Sequence, residues 1–557
     1  MNYTGAVIRQ RFEQLVASRQ VVQAKWDDCE RYIAPFRGGR FFNEQRGESQ
    51  KDWGSITDVW DSTAIMGAQR LAASIHAAVT SPAIRWFRLA FRDSAIQKDK
   101  QAKGWLDDCS DKMFDEIQAS DFNTEISMAY QDMVVFGPSA MIEEPMKERF
   151  PGLWNGLDFT CVPIREIYFE EDHRDRAKVF YRRLQWTPVQ IMDKFGPLHT
   201  PEHIRLKAEN STGVEDRIDV IFCIFKRDEI PTLRLGEVAA PKLRPYGYKY
   251  VLRSSPGDEL GEEGGYYDMP AYIARWEKTS GSMWGHGPGM IALPTVKYLN
   301  AWMEAQKNSA EKQVDPAMLV TERGLISDPD LTPGGITVVR TLDDIKMFES
   351  GARQDVAVQV LMDLREMVRK FFREDDLQLK SSPQMTATEA QIRYELMNRL
   401  LGSTLARIQN DLLDPLLQNT FNIMYREGQF QETPQSILNT RAEMQIEYLG
   451  PLMRSQRTDE VGAIERLFQS VGNAAQFFPE VVDVMDPVAS IREIAERLST
   501  PAACLRDANE IAQRKQQRDQ MQKAMQAEQE GKAANQHAQA QAAMAQANQQ
   551  GGPAANA

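Results

Sequence analysis

The run PTVKYLNAWMEAQKNSAEKQ (294–313), together with RQDVAVQVLMDLREMVRKFFR (353–373), decides the architecture. The first starts apolar, with Val296, Leu299 and Met303 near helical spacing. It ends polar on every side, at Gln306, Lys307, Asn308, Glu311 and Lys312. A helix that is polar all round runs through solvent or lines a wet space. The second run puts Val356, Val360, Leu364, Val368 and Phe371 on one face. At ~1.5 Å per residue each helix spans about 30 Å. Between them lies a short β-like insert, Ala317–Ser350, marked by Pro316, Pro329, Pro333 and paired glycines at 334–335. Two similar helices bracketing a small β insert make a stalk with a tip.

Upstream, the pattern predicts an α+β half. Residues 5–34 read as a helix carrying Ile8, Phe12, Leu15, Val22 and Trp26, and the polar stretch 37–55 as a loop. Residues 61–79 read as a second helix with Asp61 or Ser62 as cap, stopped by Pro82. Residues 100–120 and 125–135 continue the helical pattern. From Asp158 the period changes. Segments 158–169, 178–186, 217–226, 246–252 and 271–278 are rich in β-branched and aromatic residues and predict a mostly antiparallel sheet. One helix interrupts them, opened by Thr187 as N-cap and Pro188, with Gly196 past its end. Downstream, Glu374–Met385 is a polar loop. Thr386-x-x-Glu389 is a capping box that opens a long helical pattern to about Gly428, kinked by Gly402 and Pro415. Residues 429–512 read as short helices separated by Pro and Gly. The Gln/Ala-rich end, 513–557, has almost nothing to bury, so it is disordered or forms a helix only beside its own copies.

Length and charge bound the function. The 557 residues predict roughly three to four units, and no run approaches a membrane span. The N-terminal MNYTGAVIRQRFEQ carries charges where a signal peptide needs an apolar stretch, so folding in a cytosol is expected. Five scattered cysteines without a CxxC pair predict buried free thiols and no disulfide or zinc framework. A net charge of −13 argues against a broad basic grip on nucleic acid, but allows a protein that surrounds DNA without gripping it.

Motifs for chemistry are sparse. There is no GxxxxGK[ST] phosphate loop and no Gly-x-Ser-x-Gly elbow. Gly285-His-Gly287-Pro-Gly289 lacks phosphate-loop spacing and reads as a flexible turn before the stalk. His199 and His203 have helical metal-ligand spacing, but Pro201 lies between them. Glu170-Glu171-Asp172-His173 could do acid–base work, although adjacent acids in a turn are usually a solvated corner. The segment IRWFRLAFR (84–92) could stack on bases through Trp86, with Arg85, Arg88 and Arg92 beside it; an alternating, half-buried strand is the preferred reading.

Four segments, in order, resemble the portal, or head-to-tail connector, proteins of short-tailed bacteriophages. They are VWDSTA (59–64) with LAASIHAAVTSPAIRWFRL (71–89); WGHGPGM (284–290) with ALPTVKYLN (292–300); MTATEA (385–390) with Asp414-Pro415-Leu416-Leu417 and Arg426-Glu427-Gly428; and Gly450-Pro451-Leu452. The resemblance runs from about residue 10 to 510. It implies an α+β, mainly helical portal fold. Its parts would be a wing (1–289), a first stem helix (290–316), a small α/β clip (317–351), a second stem helix (352–373), a tunnel loop (374–388), a long kinked wing helix (389–428), a helical crown (429–512) and the tail (513–557).

It also implies a non-enzymatic, twelve-fold ring at one capsid vertex of the virion, assembled in the host cytoplasm without a cofactor. Duplex DNA would pass through it without sequence recognition. Implied partners are further copies of the chain, the terminase large subunit, tail adaptor or nozzle proteins, and major capsid and scaffolding proteins, with no membrane. Channel-facing candidates are Lys307, Glu311, Asp363, Glu366, Lys370, Arg373 and Lys380. For the six stem residues among them, all but Lys380, ion pairing between neighbouring stems is an equal reading, and Glu366 and Lys370 already have helix-pair spacing. Clip candidates for terminase or adaptor contact are Glu322, Arg323, Asp328 and Asp330. Two other classes stay open: a phage cell-wall or glycan hydrolase using Glu170 and Glu171, and a different ring component such as an adaptor.

Overall fold

The structure is a computed structural model. It describes residues 3–146, 154–228, 239–314, 318–320, 345–347, 354–374, 401–439 and 444–475, with scattered residues after 489. Within those spans, residues 36, 38–58, 84, 94–98, 175, 211–216, 256–258, 279–280 and 449–450 are excepted. The chain forms two compact units, fewer than the roughly three to four that its length predicts. Met1–Leu89, Asp108–Thr433 and Gln445–Gln456 make the first; Ala90–Asp107, Pro434–Met444 and Arg457–Ala557 make the second.

Helix α1 (Gly5–Tyr32) buries Ile8, Phe12, Arg19, Gln23 and Trp26 along one side. Helix α2 (Thr63–Val79) starts where Asp61 accepts the Thr63 N–H at 2.9 Å, which satisfies one of the amides a helix start leaves open. Strand β1 (Phe87–Phe91) is buried at every position, so the alternating, half-buried strand expected there is corrected to a fully buried one. Trp86 stacks on Phe122 at 6.0 Å and on Tyr448 at 6.4 Å within the protein. Helices α3 (Lys100–Ala119) and α4 (Phe122–Phe136) follow. From Ile126 to Phe136, α4 buries Ala129, Tyr130 and the run Met133–Phe136, as a helix enclosed by other elements must.

Strands β2 (Pro138–Pro145), β3 (Leu157–Val162) and β4 (Ile167–Glu171) come next. The single strand expected over 158–169 is two strands in different sheets. Pro163 and a 3-10 turn, Ile164–Glu166, separate them. Strand β5 (Ala177–Trp186) leads into α5 (Pro188–Phe195), where Thr187 and Gln190 form a reciprocal capping box and Gly196 ends the helix at φ 74°. Helix α6 (Glu202–Asn210) had no counterpart in the sequence reading; it holds His203 while His199 lies before it, so the two histidines do not share a helix face. Strands β6 (Ile218–Lys226), β7 (Tyr246–Leu252), β8 (Glu259–Tyr266) and β9 (Ala271–Arg275) complete two antiparallel sheets, ordered β4-β5-β6-β7-β8 and β3-β2-β9. Helix α1 lies on the larger sheet, where Tyr3, Ile8 and Phe12 pack with Tyr168, Val179, Tyr181, Ile221 and Val251.

Helix α7 (Pro288–Val314) begins six residues before the expected start and contains Pro294. Its 27 residues span ~40 Å. The preceding glycines form a close-packed junction, which corrects the flexible turn expected there. A Cβ on Gly287 would sit 2.4 Å from the Met133 carbonyl oxygen, and one on Gly137 would sit 2.7 Å from the His286 Cα. Strands β10 (Met318–Val320) and β11 (Ile345–Met347) pair antiparallel, and α8 (Gln354–Phe371) returns. Residues 401–408 are helical, and a π turn at Gln409–Leu413 passes into α9 (Asp414–Arg426). Just before Pro415, one of the two positions where a kink is expected, the helix carries a widened turn. There the Asp414 N–H reaches back five residues to the Gln409 carbonyl, the wider bonding pattern of a π turn. The capping box at Thr386 and Glu389 lies outside the described residues. Beyond α9, the short helices expected over 429–512 give way in part. Helix α10 (Gln435–Asn439) is short, but strand β12 (Met444–Tyr448) pairs with β1, and α11 (Pro451–Ala475) runs 25 residues.

Candidate functional site

The sequence between β9 and the π turn builds a pair of packed helices joined through the β10–β11 ladder. Helix α8 buries Leu361, Leu364, Val368 and Phe372, the last just past its end. Phe372 closes this face, whereas Phe371, expected there, is partly exposed. The Trp302 indole of α7 donates to the Ala357 carbonyl at 3.3 Å.

Both helices are fixed at one point by residues 60 and 61. The Asn300 side-chain oxygen accepts the backbone N–H groups of Trp60 and Asp61 at 2.8 and 3.0 Å. Asp61 accepts from the Arg365 guanidinium at 2.8 Å. Burial alone would push the Asp61 carboxyl up; the bonds from Thr63 and Arg365 outweigh it and hold the group below its usual range. Lys307 lies 4.5 Å over the Trp60 ring, a cation–π contact. One short segment thus grips α7 through Asn300 and Lys307, and α8 through Arg365.

A second clasp sits where α8 ends. Arg373 has φ 52°, the left-handed conformation that turns a chain out of a helix. Its N–H bonds to the Lys370 carbonyl at 3.0 Å. Glu374, expected to begin a polar loop, is buried and clasped by Arg70 of α2 and, at 3.9 Å, by Arg369. Phe372 packs so closely on α2 that a Cβ at Gly67 would lie 2.8 Å from its ring.

Several sequence-predicted residues come together here. At about 100° per residue, Gln359, Asp363, Glu366 and Lys370 share one exposed stripe opposite the buried row of α8. Asp363 accepts from the Gln359 amide at 3.1 Å, and Lys370 pairs with Glu366 at 2.7 Å. That pairing holds the Glu366 carboxyl below its ordinary range. Exposed apolar side chains flank the stripe on both sides, Val358 and Met362 on one, Met367 and Phe371 on the other. Lys307 and Glu311 pair at 3.5 Å on α7. Lys380 and the insert candidates Glu322, Arg323, Asp328 and Asp330 lie outside the described residues. The sequence reading missed Asn300, Arg365, Arg70 and Glu374. Asn300 ends the segment ALPTVKYLN (292–300), and its position beside an apolar row is the one signal that marks it as a buried amide.

The acids considered for hydrolysis are engaged elsewhere. Glu170 accepts from Tyr181 at 2.7 Å and pairs with Arg11 at 2.9 Å; Glu171 pairs with Arg275 and with Lys278, the latter at 3.3 Å. Cys29, Cys109, Cys161 and Cys223 are buried free thiols, and burial pushes Cys29 and Cys109 up to about 12. Among the described residues no helix is long and apolar enough to cross a membrane, and no three metal-ligating side chains cluster.

The chain is similar to a probable portal protein of Bordetella phage BPP-1, at 26% identity over 539 residues covering 93% of this chain and 92% of the relative. It is similar to the portal protein of Salmonella phage epsilon15, at 24% identity over 536 residues covering 94% and 93% of the two chains. The family model for bacteriophage head-to-tail connecting proteins matches residues 6–505, so the helix pair, its two clasps and both sheets fall inside the match, and the chain belongs to that family.

Proposed function

We propose that twelve copies of this chain form a ring at one capsid vertex, with α7 and α8 as a stem around a channel for duplex DNA. The observation that carries the reading is the outer face of α8. Its polar stripe is flanked on both sides by exposed apolar side chains. A helix whose two flanks want covering while the ridge between them stays polar suits a cylinder, where neighbours cover the flanks and the ridge meets the lumen. A contact between unlike surfaces closes such a ring.

In this reading DNA is packaged through the channel by a separate terminase motor and later ejected, and the same ring serves as the platform for the tail. The β10–β11 end of the stem is the clip, and the insert bearing Glu322, Arg323, Asp328 and Asp330 meets terminase first and tail adaptors afterwards. Capsid and scaffolding proteins would meet the outer wing, in a virion assembled in the host cytoplasm. Each copy carries −13, so the ring as a whole repels phosphate and lets DNA slide. Arg373 and Lys380 are the cations that touch the DNA backbone without reading bases. Charge reversal at both should lower genome retention in purified particles; unchanged packaging and retention would remove that role.

Electron microscopy of the purified chain tests the assembly directly. Rings with a central hole of duplex width are expected. Compact monomers at every concentration would overturn the reading.

A further inference from the structure

Resting on that ring reading, we propose that neighbouring copies join through two unlike surfaces of the stem: Met367 and Phe371 of one copy enter the groove that α2 and Phe372 form in the next. Ring closure by rotation needs two different, complementary patches on every copy, because a patch that matched itself would stop at a dimer. Both patches are present on the first unit.

The groove is an open cavity of about 480 Å³, lined by Arg70, Leu71, Ala73, Ser74, Ala77, Phe372 and Glu374. Its floor is the outer side of α2, where the side chains are short, and Phe372 with the Arg70–Glu374 clasp walls one end. The complementary feature is the pair Met367 and Phe371, 50% and 37% exposed and one helical turn apart. Bulky apolar side chains stand out on one flank of the stem, and room for them lies on the other.

Their placement follows from the clasps already described. Helix α8 meets α2 through Arg365, bonded to Asp61, and through Phe372, packed on Gly67. Met367 is turned ~160° round α8 from Arg365, at about 100° per residue. Phe371 is turned ~120° from Arg365, so the bulky pair points to a different side of α8 from the groove, as head-to-tail contact requires. The charges agree. Arg70 and Arg369, each about half exposed, stand on the groove side. Asp363 stands ~40° from Met367 on the other side. Docking brings a carboxylate of one copy toward guanidinium groups of the next.

Cysteine pairing in the full-length chain tests the contact. Ala77→Cys is combined with Phe371→Cys, and separately with Met367→Cys, and the purified protein is oxidised and run on a denaturing gel. At least one pair should give a ladder of covalent multimers that neither single variant gives. The single variants control for the native cysteines, of which Cys29, Cys109, Cys161 and Cys223 are buried. Ala73→Trp, which fills the groove from an exposed position, should cut the ring fraction at least tenfold while leaving the melting curve of the monomer unchanged. Rings by microscopy with no ladder from either pair would overturn this contact and leave the ring standing. A wild-type chain that makes no rings would overturn the ring itself, and the contact with it.

Discussion

Glu143 is sealed from solvent, and its carboxyl accepts from Tyr272 at 2.7 Å and from Asn419 at 3.0 Å. The Thr420 hydroxyl stands 2.6 Å from one oxygen of Glu143 and 3.0 Å from the Leu416 carbonyl. A hydroxyl has one proton to give. If Thr420 gives it to Leu416, a protonated Glu143 donates to Thr420 and every group is satisfied. Burial pushes Glu143 up from 4.5 to about 7, against the bonds from Thr420, Tyr272 and Asn419. A carboxyl that holds its proton more tightly when folded stabilises the fold fully below the unfolded value of 4.5, and the contribution is lost as pH rises to about 7. At ~1.4 kcal/mol per unit this contributes about 3 kcal/mol. Glu143→Gln, which copies the protonated acid, should remove that part of the pH slope. Urea unfolding at pH ~5 and ~8 measures it; an unchanged difference between the two pH values would show that Glu143 is charged in the fold.

Between elements, α2 meets the end of α8 in a close contact. Gly67→Val adds bulk where even a Cβ would lie 2.8 Å from the Phe372 ring, inside a close-packed site. Overpacking of this kind costs ~1–3 kcal/mol. Thermal unfolding should show that loss, and Phe372→Leu in the same chain should recover part of it; two losses that simply add would place the clash elsewhere. Element by element, the sequence was readable where side-chain chemistry acts locally. Thr187, Gln190 and Gly196 bracket α5 because capping is decided within a few residues. It was silent where partners far along the chain decide. PSAMIEEP (138–145) and ELGEEGGY (259–266) are poor in β-forming residues, and become strands because β3 with β9, and β7, supply their hydrogen bonds. Spacing also left Phe371 and Phe372 one residue apart in claim to the buried face, and only α2 chooses between them. The site divides in the same way. The stripe of Asp363, Glu366 and Lys370 follows from helical period alone, whereas Asn300, Arg365 and Glu374 bond to residues 240 to 304 positions away.

At the scale of the assembled molecule the question is how a wall can enclose DNA and let it move. On the ring reading, each ridge of α8 presents two carboxylates, Asp363 and Glu366, against one ammonium, Lys370, which is already paired with Glu366. No unpaired cation of the ridge reaches for phosphate, so friction stays low. Asp363→Lys with Glu366→Lys reverses this: a dozen copies would line the channel with cations that each release counterions when they meet phosphate. Ejection from purified particles should then slow by roughly tenfold or more at ~50 mM salt and recover by ~200 mM, because phosphate contacts weaken steeply over that range. Time-resolved DNA release across a salt series reads the effect. A slowing that persists at high salt would point to a misassembled channel. No slowing at any salt would mean that the ridge does not face the DNA, and the lumen would then have to be lined by the polar end of α7, where Lys307 and Glu311 pair.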